Sequence, residues 1–301
     1  MKKIILFFLL IVISASTSYS VVGQTGWQIM RRAQSARPQP LNNIIAVNAD
    51  LSGVFYNSAI LGTLNNRKVS LLSESGSAND TFGGVLYGQP LGNTLGICVG
   101  YIYYDAGKMT LDWMEGSTEY TNTVTSQKDT LAVISAGKAL SSKLLAGVTL
   151  KYATNNIAEV KEATAYAGDI GLIYMLNNKL NISLSGQNFG SSTKFITKAE
   201  ELPTTVSFGI SYLVPRNDRS YIGLAVDVPY ILKEERVVPN IGLEYCLGKV
   251  AFDIGYRLNV EESQLQVGFS AGISRNLELG YAFIPASYLS STHRLNLGYR
   301  F

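Results

Sequence analysis

The chain holds one histidine, His293, and two cysteines, Cys98 and Cys246. A hydrolase of the Ser–His type needs a histidine beside a nucleophile and a polar group that orients the ring. Ser290 and Ser291 lie near His293 in sequence, but loop serines are common. A histidine at the entrance to the last strand reads better as an interfacial side chain. One His and two separated Cys cannot assemble a metal site of the usual kind. The two cysteines are either free, small apolar side chains or a bridge, and their spacing does not decide between these. No phosphate loop is present, since Gly83-Gly84 falls inside a strand, where glycine reflects close packing or a bend. No catalytic residue, cofactor-binding residue or metal ligand is assigned. The expectation is a protein that is not an enzyme and has no cofactor.

Composition narrows the class. Of 301 residues, 16% are charged, against roughly 25% in ordinary soluble domains. Hydrophobic residues make up 47%, with 18 tyrosines, and mean hydropathy is +0.13. That is too few charges for a typical soluble domain. A helical membrane protein would show apolar runs of about 20 residues. Net charge is +3, and Lys2 and Lys3 supply two of it, leaving 3 − 2 = +1 after them. No basic stripe remains to track phosphates, so nucleic acid is not an expected partner.

Lys2-Lys3, the apolar run Ile4 to Ile13 and the small residues Ser14 to Ser20 form an export signal. Residues 1–20 are therefore expected to be removed. From about residue 67 the pattern has period two. Leu295, Leu297, Tyr299 and Phe301 share one face of the last segment, and Arg294, Asn296, Gly298 and Arg300 share the other. Such alternation marks strands with one face in a nonpolar medium. Fourteen segments follow this rule: 67–75, 79–88, 93–104, 128–140, 143–154, 164–176, 179–188, 202–213, 219–229, 238–247, 249–259, 263–274, 276–284 and 292–301. Most have the length of a tilted strand crossing a bilayer. The connections alternate between tight and long, the longest being Asp105–Gln127 with Met109, Leu111, Trp113 and Met114. Outer-membrane barrels pair short periplasmic turns with longer extracellular loops. The fold expected over 67–301 is an all-β, 14-stranded antiparallel transmembrane β-barrel in the bacterial outer membrane, with both termini periplasmic. Leu297, Tyr299 and the terminal aromatic Phe301 resemble the signal read by barrel-insertion machinery, which makes that machinery and outer-membrane lipid expected partners.

Residues 21–66 do not alternate. They carry Arg31, Arg32, Arg37, Pro38 and Pro40, then Asn42-Asn43, Ala46-Val47-Asn48-Ala49-Asp50 and Phe55-Tyr56-Asn57-Ser58-Ala59-Ile60-Leu61. This stretch resembles the N-terminal region of the PorV/PorQ family, grouped with the FadL-like fourteen-stranded outer-membrane barrels. Family members have a Gly-rich stretch, an acidic pair, then an aromatic followed by Asn-Pro-Ala-Gly-Leu. Here Asp50 stands at the acidic part. Phe55, Tyr56, Asn57, Ala59 and Leu61 stand at the second part, with Ser58 for the Pro and Ile60 for the Gly. Leu202-Pro203 and Leu297-Gly298-Tyr299-Arg300-Phe301 also resemble the family. The resemblance implies that 21–66 folds into the lumen as a plug. It also implies a non-enzymatic role as an attachment or shuttle partner in type IX protein secretion, with secretion-system proteins or secreted cargo as partners. The FadL-like relatives imply the alternative, a channel for uptake of hydrophobic small molecules. An orphan structural barrel is a third reading.

By parity, Lys151, Asp169, Asp227, Glu244, Asp253, Arg257, Glu278 and Arg300 point inward. Ion selection needs a ring of one sign. This mixture instead suggests a salt-bridged polar network with the N-terminal arginines. No separate apolar ligand pocket is apparent in the pattern.

Overall fold

The computed structural model describes residues 25–32, 35–43, 51–76, 80–194, 200–217, 220–262, 264–288 and 290–301. Residues 1–20, expected to be an export signal, and Asp50 lie outside these. Among the described residues the strands are β1 (Lys68–Ser75), β2 (Thr81–Leu91), β3 (Leu95–Asp105), β4 (Lys108–Glu115), β5 (Thr118–Thr125), β6 (Gln127–Ala139), β7 (Leu144–Ile157), β8 (Lys161–Met175), β9 (Leu180–Ser192), β10 (Thr205–Asn217), β11 (Ser220–Ile231), β12 (Arg236–Val237), β13 (Asn240–Leu247), β14 (Val250–Arg257), β15 (Leu265–Gly272), β16 (Leu277–Ile284) and β17 (Thr292–Arg300).

Fourteen of these close into one ring. The sheet runs from β10 through β9, β8, β7, β6, β3, β2, β1, β17, β16, β15, β14 and β13 to β11, and β10 pairs with β11 to shut it. Closure leaves no unpaired edge in the barrel wall, which an apolar medium requires because every backbone N–H and C=O must find a partner. Each of the fourteen expected segments forms a barrel strand, with ends that differ by a few residues. The long connection expected at Asp105–Gln127 is different. It is the separate hairpin of β4 and β5, paired from Lys108↔Thr125 to Glu115↔Thr118 and stacked at Trp113 and Tyr120. Met109, Leu111 and Trp113 alternate along β4, but β5 is almost wholly polar and exposed up to its last two residues, so the second arm does not read as a strand.

The period-two pattern places side chains as physics demands. Ile134, Val148, Leu150, Tyr166 and Ile170 stand exposed on the outer face, while their neighbours Ser135, Thr149, Lys151, Ala165 and Asp169 are buried. No helix among the described residues is long and apolar enough to cross a membrane, and crossing falls to the strands. Cys98 on β3 and Cys246 on β13 are both buried and free, so the bridge alternative is excluded.

The described part of 25–63 forms four short 3₁₀ turns, Gln28–Met30, Gln39–Asn43, Leu51–Phe55 and Ser58–Thr63. These turns pack inside the ring, with contacts to β1, β2, β3, β6, β7 and β8 on one side and β9, β10, β11 and β13 on the other. Gly26 donates its N–H to the Glu201 carbonyl, in the connection after β9, at the end of the barrel away from Phe301. Phe301 donates to Arg67 at the other end.

Candidate functional site

The inner surface of the barrel has two unlike halves. The charged half lies on β1, β11 and β13 to β17. Arg37 reaches Glu244 through two hydrogen bonds, Nε to Oε2 at 2.7 Å and Nη2 to Oε1 at 2.8 Å. Tyr221 donates its hydroxyl to the same Glu244 at 2.7 Å. Burial works against the Arg37 charge, but Glu244 beside it holds the guanidinium above its ordinary pKa. Asp253 stands opposite Glu244 in the ladder. Asp227 accepts from Gln39 at 2.8 Å and from Ser207. Lys68 and Arg300 both pair with Glu278. Arg257 lines a small recess with Pro38, Gln39 and Pro40.

The other two N-terminal arginines, Arg31 and Arg32, pair with acids that the parity count omits. Arg31 and Thr25 both bond Glu234, and Arg32 bonds Glu74 and Asp80. Arg294 also pairs with Glu74. Glu74 occupies an inward position of β1 and was open to the same parity argument. Glu234 sits in a turn, where parity says nothing. Arg32 further stacks its guanidinium over Phe82 and Tyr104, at 4.8 and 4.5 Å from the ring centres. It marks the boundary with the second half.

That second half is apolar, against the expectation of a polar lumen without an apolar site. Phe82, Leu86, Ile102, Leu131 and Val133 face inward from β2, β3 and β6, and Ala153, Ala163, Ala165 and Ala167 from β7 and β8. Trp27, Ile29, Met30, Leu51, Val54, Phe55 and Leu61 pack against them in one continuous cluster. Trp27 is 2% exposed and holds φ of 57°, in the left-handed region that a bulky residue occupies only at a cost of about 1–3 kcal/mol. Polar groups interrupt this side: Asp129, Ser135, Thr149 and Asn155 are buried on β6 and β7, and there is an ion pair. Lys151 and Asp169 meet at 2.7 Å, and both also bond Asn188, which bulges out of the β8–β9 ladder with φ of 59°.

The Phe55–Leu61 stretch is anchored on the wall below that cluster. Asn57 caps the Ser58–Thr63 turn by accepting from the Ala59 N–H at 3.1 Å, and its amide donates to the Leu172 carbonyl at 3.1 Å. Gln187 donates to the carbonyls of Phe55 and Tyr56 at 2.8 and 2.7 Å. Ala59 and Leu61 are buried. The wall accommodates this turn by having no side chains there. Gly96, Gly137, Gly147 and Gly171 are lateral neighbours on β3, β6, β7 and β8. A methyl group on any of them would collide with Asn57, Ser58, Ala59 or Leu61. This row was missed because each glycine looks ordinary in its own strand. Only the register aligns them.

The remaining sequence candidates lie apart from this site. His293 is on the outer face, its Nδ1 2.8 Å from the Tyr281 hydroxyl and its ring 5.2 Å from Phe283. Leu297, Tyr299 and Phe301 run along the last strand, and the last two rings meet edge to face at 5.0 Å. Among the described residues no cluster of His, Cys, Asp and Glu is arranged to hold a metal.

No family model matches the sequence, and no curated protein matches it. Solved structures do. The chain superposes on the Ralstonia pickettii toluene transporter TbuX with a TM-score of 0.61 at 13% identity, covering 93% of this chain and 100% of that one. The CymD monoaromatic hydrocarbon channel gives 0.58 at 13% identity, over 88% and 97%. The Pseudomonas putida toluene transporter TodX gives 0.54 at 11% identity, over 91% and 97%. At such identities the likeness is one of fold, and the fold is that of the fourteen-stranded outer-membrane barrels.

Proposed function

We propose that this chain is a FadL-like outer-membrane channel for small hydrophobic molecules, with the described part of residues 25–63 as the plug of its lumen. The apolar half of the inner surface carries this reading. A barrel that only sealed or braced a membrane would have no need to line half its interior with Phe82, Leu86, Ile102, Leu131 and Val133. A water-filled pore would be disfavoured by them. The likeness in fold to toluene and monoaromatic-hydrocarbon channels supports it. On this reading a ligand enters the cluster around Trp27, whose backbone is already strained. Arg67 and Phe301 then face the periplasm, and the β4–β5 hairpin faces outward.

The sequence offers a clean reporter, because Trp27 and Trp113 are its two tryptophans. In a Trp113→Phe variant, emission comes from Trp27 alone. Toluene is expected to shift or quench that emission saturably, and to enter liposomes holding the protein faster than protein-free ones. Linear, non-saturating quenching together with unchanged entry would sink the proposal. The secretion reading rests on Phe55–Leu61, which here serve as a cap and wall contact that any plug requires. Co-purification of secreted cargo with the wild-type chain, lost on deletion of Lys108–Thr125, would restore it.

A further inference from the structure

The outer face of the barrel is not uniformly smooth. Across β6, β7, β8 and β9 an apolar groove of about 500 Å³ opens toward the membrane. Small outward residues give it depth. Ala136 neighbours Val148, Ala146 neighbours Leu172, and Gly186 neighbours Ile170. Leu184 and Phe189 complete the sides. The groove ends at Lys138, an exposed outward residue of β6 beside Ala146. Lys138 has no ion-pair partner among the described residues. Lys143 and Lys179 stand exposed in the turns at the same end of the barrel. Residues 130–158 and 170–199 contain no Asp or Glu, and Asp169 points inward. That rim is therefore purely basic over four strands.

We propose that this groove seats an acyl chain of an anionic glycerophospholipid whose phosphate rests at Lys138. The occupant follows from the two chemistries that meet here. A dent in a membrane-facing wall, lined by aliphatic side chains, fits a flexible hydrocarbon chain. Its one charged edge, cationic and unopposed, fits a phosphate at the depth where headgroups begin. A soluble partner would not reach the apolar part, and a free anion would have no use for it. The lysines also hold the barrel at a fixed height, because ammonium groups stay at the interface while their stems lie along apolar surface.

The full chain in mild detergent, titrated with phosphatidylglycerol and followed by native mass spectrometry, tests this. One lipid per chain is expected to persist at collision energies that strip the others. Lys138→Glu should weaken it about fivefold or more, the scale of one charge near a membrane surface. Ala146→Phe, which fills the groove from the lipid side, should weaken it while heat-modifiable gel mobility stays that of the folded barrel. Equal retention by the wild type and both variants would overturn the proposal. So would full displacement of the lipid by inorganic phosphate, which would reduce the site to an anion contact. A dimer in light scattering that Ala146→Phe dissociates would instead assign the groove to a second copy of the chain.

Discussion

The charged and apolar halves of the lumen hold the same N-terminal segment by different physics. On the charged side, Arg31, Arg32 and Arg37 are fixed by directional bonds to Glu234, Glu74 and Glu244. Each loses a great deal if displaced, since a buried charge left without its partner is costly. On the apolar side, Trp27, Ile29 and Met30 are held by area and shape. Another apolar body of similar size satisfies that surface equally well, because hydrophobic contact has no direction. The pairing teaches where movement is cheap. A ligand that replaces apolar side chains trades like for like, whereas no hydrocarbon can replace Glu244. The charged half is the anchor, and the apolar half is the part open to exchange.

The strongest way to break this contrast is at Glu244. Glu244→Ala removes both hydrogen bonds of the buried Arg37, with Asp253 still near it, and is expected to lower stability to urea by about 3 kcal/mol, the low end of the cost of breaking a buried pair. Converting both partners, with Arg37→Met and Glu244→Leu together, should recover most of that loss. If the single substitution costs under about 1 kcal/mol, the size of an exposed pair, the charged half is no anchor. The glycine row offers the next largest effect. Gly147→Val drives a side chain into the Ser58–Ala59 backbone, and overpacking of this kind costs about 1–3 kcal/mol. It should also expose the Ser58–Thr63 turn to protease while leaving the Arg37 side intact. Uniform loosening of both halves would show that they are not separate.

The two halves were unequally legible in the sequence. The outer face was plain, since Leu295, Tyr299 and their like alternate with period two whatever lies inside. The charged inner positions followed from the same parity, because a charge stands out against an apolar face. The apolar inner positions did not. In β6 the run Leu131-Ala132-Val133-Ile134 is apolar on both faces, so alternation carries no information about which side is a site. That run was itself the available signal, as a strand apolar on both faces implies an apolar interior. The glycine row and the groove beneath Lys138 depend on register between strands, which turn geometry sets and a single strand does not reveal. Glu234 lies in an irregular connection beyond the reach of any periodicity.

The smallest change sharpens the comparison most, because it leaves every charge in place. Tyr221→Phe removes one bond to Glu244 and a contact with Cys246, and leaves both Arg37 bonds and Asp253 beside the carboxylate. A hydrogen bond to a charged group contributes about 1.5–3 kcal/mol when it is the main partner. Here both Arg37 bonds remain to satisfy the carboxylate, so the expected loss is about 1 kcal/mol. The informative readout is the other half of the lumen. If the anchor and the exchangeable face are independent, the Trp27 emission and its response to toluene stay at the wild-type level in Tyr221→Phe. If that response moves with a change made at Tyr221, the segment behaves as one rigid body. Displacing Trp27 would then have to strain the Arg37–Glu244 pair, and the apolar half would no longer be free to exchange.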